Sequence, residues 1–472
     1  MIRTAILAAS TLLFAAPAAA QSQADLDARY DRALAAGYKA LFLCSAIANA
    51  ERNGASRSPE SVMEWELSGI QAPLNEIVPD LSYRIVRSGQ ADDLQEAATL
   101  SSADGYVRAA SVIARVEVDW TPDMPSRIAV HDAGEGCHLM PIGAAPTAQP
   151  ERALTVQAQR PSEMTTAAAS GALADVGECA FSSSYGSDSR STAVLVVKDG
   201  AILQEAYAQG FGPDVPQRTW SVAKSIAATL VGAAVQRGDV EVEASAGLGA
   251  GEGDPRAAIT VDHALRMATG RYSDTAGNRT DPLYYGGTTV AERAANWPLV
   301  YEPGTVWRYA NNDTLMAVAA IAGTFENHPP AAFFAQAGMT HTVAETDWQG
   351  NYILSSQVWS TARDLARLGQ LYLDDGVTAN GERILPEGWA DYVSAPTGPQ
   401  PEGEWGYGAG WWIMSGFEGI PDDAFAARGN RGQYVVVIPS ADVVIVRRGE
   451  DPAGGSGFDI VAFTRDVLAA LD

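Results

Sequence analysis

The chain is 472 residues long, carries a formal charge of −25, and is 47% hydrophobic but only 19% charged. So acidic a molecule repels phosphate backbones and anionic membrane surfaces, which excludes nucleic acid as a partner. The five histidines show neither H-E-x-x-H nor a paired-cysteine spacing, so no metal and no cofactor are expected.

Residues 1–20, MIRTAILAASTLLFAAPAAA, run from one arginine through a short apolar stretch to Ala-Ala-Ala before Gln21. That pattern predicts a secretory signal peptide, hence a periplasmic or secreted protein with no integral membrane segment once it is cleaved. A unit over 21–142 follows. DARYDRALAAGYKALFLCSAIANAERNG has helical spacing, and YRIVRSG, SVIARVEVDW and SRIAVHDAG read as strands, giving an N-terminal α+β domain of no assigned role. Of the three cysteines, Cys44 and Cys137 fall in the N-terminal third, which favours their pairing and leaves Cys179 as a free thiol. Three free, buried cysteines are the other reading. Residues 143–191 shift to Ala, Pro, Ser, Thr and Gly, the composition of a linker.

From 192 to 472 a second unit is expected. TAVLVVKDGAILQEAYAQG reads as two strands about the turn Asp199-Gly200, and GQYVVVIPSADVVIVRRG as two more about Pro439-Ser440-Ala441-Asp442. A helical middle lies between them, and FDIVAFTRDVLAALD closes as an amphipathic helix. Strands at both ends with helices between predict an α/β fold of α+β type: an antiparallel sheet flanked by helices, with a helical insert. GLGAGEG at Gly247 has acidic neighbours and no preceding strand, and reads as a loop.

Only three lysines occur, Lys39, Lys198 and Lys224. Lys198 lies in a turn and Lys39 in a mixed stretch, whereas Lys224 sits in the apolar segment SVAKSIAATLVGAAV, where an unpaired ammonium is costly. Ser221 lies three residues earlier, on the same helical face. A helix N-terminus and an apolar surround both favour a neutral amine, which can take a hydroxyl proton. Arginine could not, because its pKa stays above about 12. Tyr309 and Asn311 flank Ala310 and point to one side in extended geometry: a phenol to relay a proton, an amide to bind the lysine and a substrate carbonyl. In ARGNRGQYVVV, Gly429 and Gly432 precede a strand whose exposed backbone could dock an extended substrate.

In this order S-x-x-K, Y-x-N and the glycine-rich strand start resemble the serine β-lactamase and penicillin-binding-protein superfamily, in its class C-like branch, and most of all its 6-aminohexanoate-dimer hydrolase-like serine hydrolases. The resemblance covers roughly Ser191 to Asp472 and extends to ITVDHALRMATGRYSD, EPGTVWRYANND and GYGAGWWI. It implies Ser221 as nucleophile, Lys224 as its base and Tyr309 as the second proton-transfer residue. Asn311 would bind substrate, with Asn430, Arg431 and Gly432 in place of the family's K-T-G or H-T-G triad. The N–H groups of Ser221 and Gln433 would form the oxyanion hole. The implied activity is cleavage of an amide, ester or peptide small molecule through an acyl-enzyme. A cell-wall D-peptidase, a β-lactamase and a catalytically silent peptide binder are the alternatives.

Overall fold

The computed structural model describes residues 22–88, 112–145, 164–251, 253–273, 280–455 and 457–471. The expected signal peptide, 1–20, lies outside them. The chain begins with α1 (Gln23–Arg52), whose N-cap Ser22 accepts a hydrogen bond from the Asp25 N–H. Every residue from Ala33 to Ala50 is buried, so the helix has no solvent face over most of its length. By length and mean hydropathy it could cross a membrane, but its apolar window is wholly covered by protein.

Part of the cover is a four-stranded antiparallel meander: β1 (Tyr83–Arg87), β2 (Ile113–Val118), β3 (Arg127–Asp132) and β4 (Gly136–Leu139). A disulfide joins Cys44 of α1 to Cys137 of β4, and Cys179 is free and exposed. The rest comes from the C-terminal unit. A Cβ on Gly37 would overlap the Tyr285 carbonyl oxygen, so only a residue without a side chain lets the two units touch here. Tyr38 stacks on Phe42 at 4.3 Å, and Phe42 reaches Trp220 at 5.9 Å. The 21–142 segment therefore shares one continuous core with the helical part of the second unit.

Lys39, expected in a mixed stretch, is in fact buried on α1. Its ammonium donates to the Val78 and Leu81 carbonyls at 3.0 and 2.6 Å, and burial pulls its pKa below the ordinary lysine value. An apolar setting alone thus does not mark a lysine as a base; the partners do.

Of the expected linker, residues 146–163 lie outside the described residues, and 164–191 hold regular structure. Thr165–Thr166 joins the main sheet, and α2 (Gly171–Cys179) buries Leu173 and Gly177. Small residues here permit close packing rather than looseness. Among the described residues the main sheet has eight strands, with β5 (Ser191–Lys198) and β6 (Ala201–Tyr207) from the start of the unit and β7 (Phe425–Gly429), β8 (Gln433–Ile438) and β9 (Val443–Gly449) from its end. β9 pairs antiparallel with β5, Ile445 opposite Val196, which closes the two termini of the unit into one sheet. The strand pair Gly406–Tyr407 and Trp412–Ile413 continues the sheet beyond β7, and Thr165–Thr166 runs parallel to β6.

Side chains alternate between the faces with period two. Leu195, Val197, Val435, Val437, Val444 and Val446 pack towards α3 (Val222–Arg237) and the rest of the helical insert, which includes α4 (Asn311–Ile321) and α5 (Ala362–Leu373). Val194, Val196, Val436, Ile438, Val443 and Ile445 pack with α2 and α6 (Ile460–Leu471). This is the sheet flanked by helices that the strand and helix patterns predict.

Candidate active site

The approach to Ser221 is held from two sides. Gln217–Arg218 forms a short strand paired with Val358–Ser360, and the next residue but one, Trp220, has a left-handed φ of 50°. That conformation is unfavourable for a bulky side chain and persists only where packing enforces it. Here Phe42 and the Arg218 guanidinium, 4.3 Å from the indole centroid, do so. The chain then turns into α3 with Ser221 as N-cap, where the hydroxyl makes no capping bond. Ala-rich sequence and burial from Val222 to Ala234 make α3 the central helix of the unit.

One turn on, Lys224 is 2% exposed. Its Nζ lies 3.1 Å from Ser221 Oγ, 2.7 Å from Asn311 Oδ1 and 2.9 Å from the Ser355 carbonyl. The last two can only accept, so each takes an N–H bond from the amine, whereas the Ser221 hydroxyl can accept from a charged amine or donate to a neutral one. Asn311 is the first residue of α4, and its Nδ2 donates to Thr280 Oγ1 at 3.1 Å, which fixes the amide with its oxygen towards the lysine. Tyr309 precedes α4 with its ring centroid 4.9 Å from Nζ, stacked on Trp412 at 5.8 Å, met edge-on by Tyr407 and at a tilt by Trp307. Ser221, Lys224, Tyr309 and Asn311 are thus brought together as expected.

The glycine-rich segment is placed differently. Asn430-Arg431-Gly432 is the turn between β7 and β8, closed by the pair Gly429 and Gln433, and is not part of a strand edge. The residue against the nucleophile is Gly429, whose Cβ, had it one, would stand 3.2 Å from the Ser221 nitrogen. The strand residues at the triad's place are therefore Ala427, Arg428 and Gly429. Ala427 faces the helical core, while Arg428 lies with its guanidinium over Trp405 and Trp412, at 4.0 and 4.9 Å.

Arg431 does not reach the site. It is 4% exposed, pairs with Glu450 at 2.7 Å, and donates to the Trp65 and Ser68 carbonyls of the N-terminal unit at 2.9 and 2.8 Å. The Gly432 carbonyl is turned to Arg447 at 2.8 Å. Gln433 opens β8 opposite Gly429 and is wholly buried, with its side-chain amide held by Gly449 and Arg448. Among the described residues, the N–H groups of Ser221 and Asn430 donate to no acceptor in the chain, and Asn430 directly follows the glycine that abuts Ser221. These two are the donor pair that can serve a developing oxyanion.

Ser355, Thr280 and the aromatic wall of Trp307, Tyr407 and Trp412 carry no motif of their own. The density of aromatics in GYGAGWWI and VWRYANND is the one signal that could have found the wall.

The Beta-lactamase family profile matches residues 184–447. The 6-aminohexanoate-dimer hydrolase of Paenarthrobacter ureafaciens is 28% identical over 305 residues, 54% of this chain and 71% of that protein. Among solved structures, a Bacillus anthracis protein provisionally named as a 6-aminohexanoate-dimer hydrolase superposes with a TM-score of 0.55 at 21% identity, over 66% of this chain and 88% of that one. A penicillin-binding-protein homologue from Caulobacter crescentus gives 0.49 at 16% identity, over 65% and 99%. With the family profile spanning more than half of the sequence and the sheet and central helix in place, the chain belongs to the beta-lactamase family of serine hydrolases.

Proposed function

We propose that the protein is an exported hydrolase that cleaves small amides or esters through an acyl-enzyme on Ser221. Residues 192–472 are the catalytic unit and 21–142 an appended one. The observation that carries the reading is the position of Lys224 Nζ, 3.1 Å from Ser221 Oγ and tied to two acceptors. The neutral amine takes the hydroxyl proton as Oγ attacks the carbonyl carbon. The oxygen that gains charge faces the N–H groups of Ser221 and Asn430. Tyr309 passes a proton to the departing amine or alcohol, the C–N or C–O bond breaks, and an ester on Ser221 remains. Water then attacks that ester with its proton going back through the same groups, releasing the acid and restoring the hydroxyl. The Paenarthrobacter relative, named as a hydrolase of a dimeric amide, supports an amide as the natural bond.

A β-lactamase or D-peptidase reading requires a grip on the substrate carboxylate. A charge-assisted hydrogen bond there contributes roughly 1.5–3 kcal/mol, or about ten- to a hundredfold in rate. Of the residues at the triad's place, Ala427 packs into the helical core and the Arg428 guanidinium lies over Trp405 and Trp412, while the neutral Asn430 lies in the turn and Arg431 is committed elsewhere. One preparation tests both readings. A fluorophosphonate probe is expected to label Ser221, p-nitrophenyl butyrate to be cleaved, and nitrocefin to be turned over far more slowly. Nitrocefin turnover outrunning the ester overturns the substrate class, and an unlabelled, inactive protein favours a silent binder.

A further inference from the structure

The appended unit touches the site at two places. Phe42 of α1 braces Trp220, directly before the nucleophile. The second contact is tighter. Several polar groups of the turn 430–432 are held by neighbouring segments. The Arg431 N–H donates to Asn430 Oδ1 at 3.0 Å, and the Arg431 carbonyl accepts from the Asp451 N–H at 3.2 Å. The Gly432 carbonyl is held by Arg447. The Arg431 side chain crosses into the N-terminal unit, where the carbonyls of Trp65 and Ser68 close the loop after the helix Pro59–Trp65 around one terminal nitrogen. Glu450 pairs with the same guanidinium, and the buried pair Arg57–Glu66, 2.7 Å apart, lies within the same unit as Trp65. Arg431 has a left-handed φ of 59°, a conformation that a non-glycine residue keeps only under such restraint. Among the described residues, the Asn430 N–H donates to no acceptor.

We propose that the N-terminal unit serves the reaction by fixing this turn, with Arg431 as the positioning residue that aims the Asn430 N–H at the reacting carbonyl. The proposal rests on the acyl-enzyme reading and gives residues 21–142 a task in it. Arg431 touches no substrate. It acts through Asn430, so its loss must show in the step that needs the oxyanion donor and not in substrate capture.

Arg431→Gly keeps a residue that accepts the left-handed φ and removes only the tether. With p-nitrophenyl butyrate the expected outcome is a fall in kcat of about 10²-fold or more with KM changed less than about threefold, as for loss of one oxyanion donor. Arg431→Lys, which keeps the charge and a donor, is expected to recover part of kcat. The double variant Arg431→Gly/Glu450→Gln leaves no unpaired carboxylate, and is expected to regain thermal stability without regaining kcat. It also carries the test should Arg431→Gly not fold. A double variant with kcat within about threefold of the wild type overturns the positioning role while leaving the catalytic reading intact. A wild-type protein that neither cleaves the ester nor takes up the probe overturns the catalytic reading, and this proposal with it.

Discussion

Gly429 stands so close to Ser221 that a Cβ on it would lie 3.2 Å from the serine nitrogen and would overlap the Thr219 carbonyl oxygen. Its φ is not in the left-handed region, so alanine suits the backbone and only the space is lacking. Gly429→Ala must push the end of β7 away from the nucleophile. The expected cost is about 1–3 kcal/mol of stability, as for other overpacking, with a fall in kcat of about 10²–10³ from the displaced donor. Urea unfolding and ester kinetics on the same samples check it. A variant with the wild-type kcat would remove the β7 end from the oxyanion site.

Lys224→Arg keeps charge and approximate length but cannot become neutral. Activity is expected to fall nearly as far as in Ser221→Ala, and the double variant to be scarcely worse than either, because groups acting as a unit are not additive. Ester turnover above a few per cent of wild type in the arginine variant would overturn the base assignment.

Tyr309→Phe removes a hydroxyl while the ring keeps its place against Trp412 and over Lys224. The expected loss is about 10²–10⁴ in kcat, the range of a positioned proton-transfer group. Normal turnover of both an ester and an amide by the folded variant would leave Tyr309 a purely packing role.

The parts of the site that the sequence disclosed are those set by local spacing. Ser221 and Lys224 are one turn apart on a helix that their neighbours dictate, and Tyr309 and Asn311 straddle the start of another. The register at 427–433 was not legible. ARGNRGQ offers two glycines as candidate triad ends, and the choice between them is made by the pairing of Gly429 with Gln433 and by contact with Thr219, more than 200 residues away in sequence. Arg431 was misplaced for the same reason, since its partners Trp65 and Ser68 belong to a unit with no motif. The helix α1 was visible in its spacing. Its burial on all sides was not, because Lys39 and Asn49 look like surface residues until their partners are known.

Glu345 gives the stability a pH dependence. Its carboxylate is wholly buried, accepting from the Cys137 N–H and the Trp359 indole, both at 3.0 Å, and burial pushes it from 4.5 up to about 7 despite these donors. Below pH 4.5 the folded and unfolded forms are both protonated and nothing is lost. As pH rises from there to about 7, the folded form holds a proton that the unfolded form has released, so stability falls by up to ~3 kcal/mol. Glu450, raised to about 7, and Asp364, raised to about 6, act in the same direction. Glu345→Gln is therefore expected to make the decline in Tm between pH 5 and 7.5 shallower without abolishing it. An unchanged slope would show that Glu345 does not titrate in this window.

The cover over α1 also fixes the order in which the chain can be completed. Residues 33–50 leave the ribosome well before their neighbours Tyr285, Trp220 and Trp359. Contacts of such wide sequence separation form slowly. A long apolar helix must therefore wait with only the β1–β4 side of its cover until most of these partners exist, in a form open to aggregation or to capture by a chaperone. A segment buried on every side of the finished protein is thus left half open in the unfinished one.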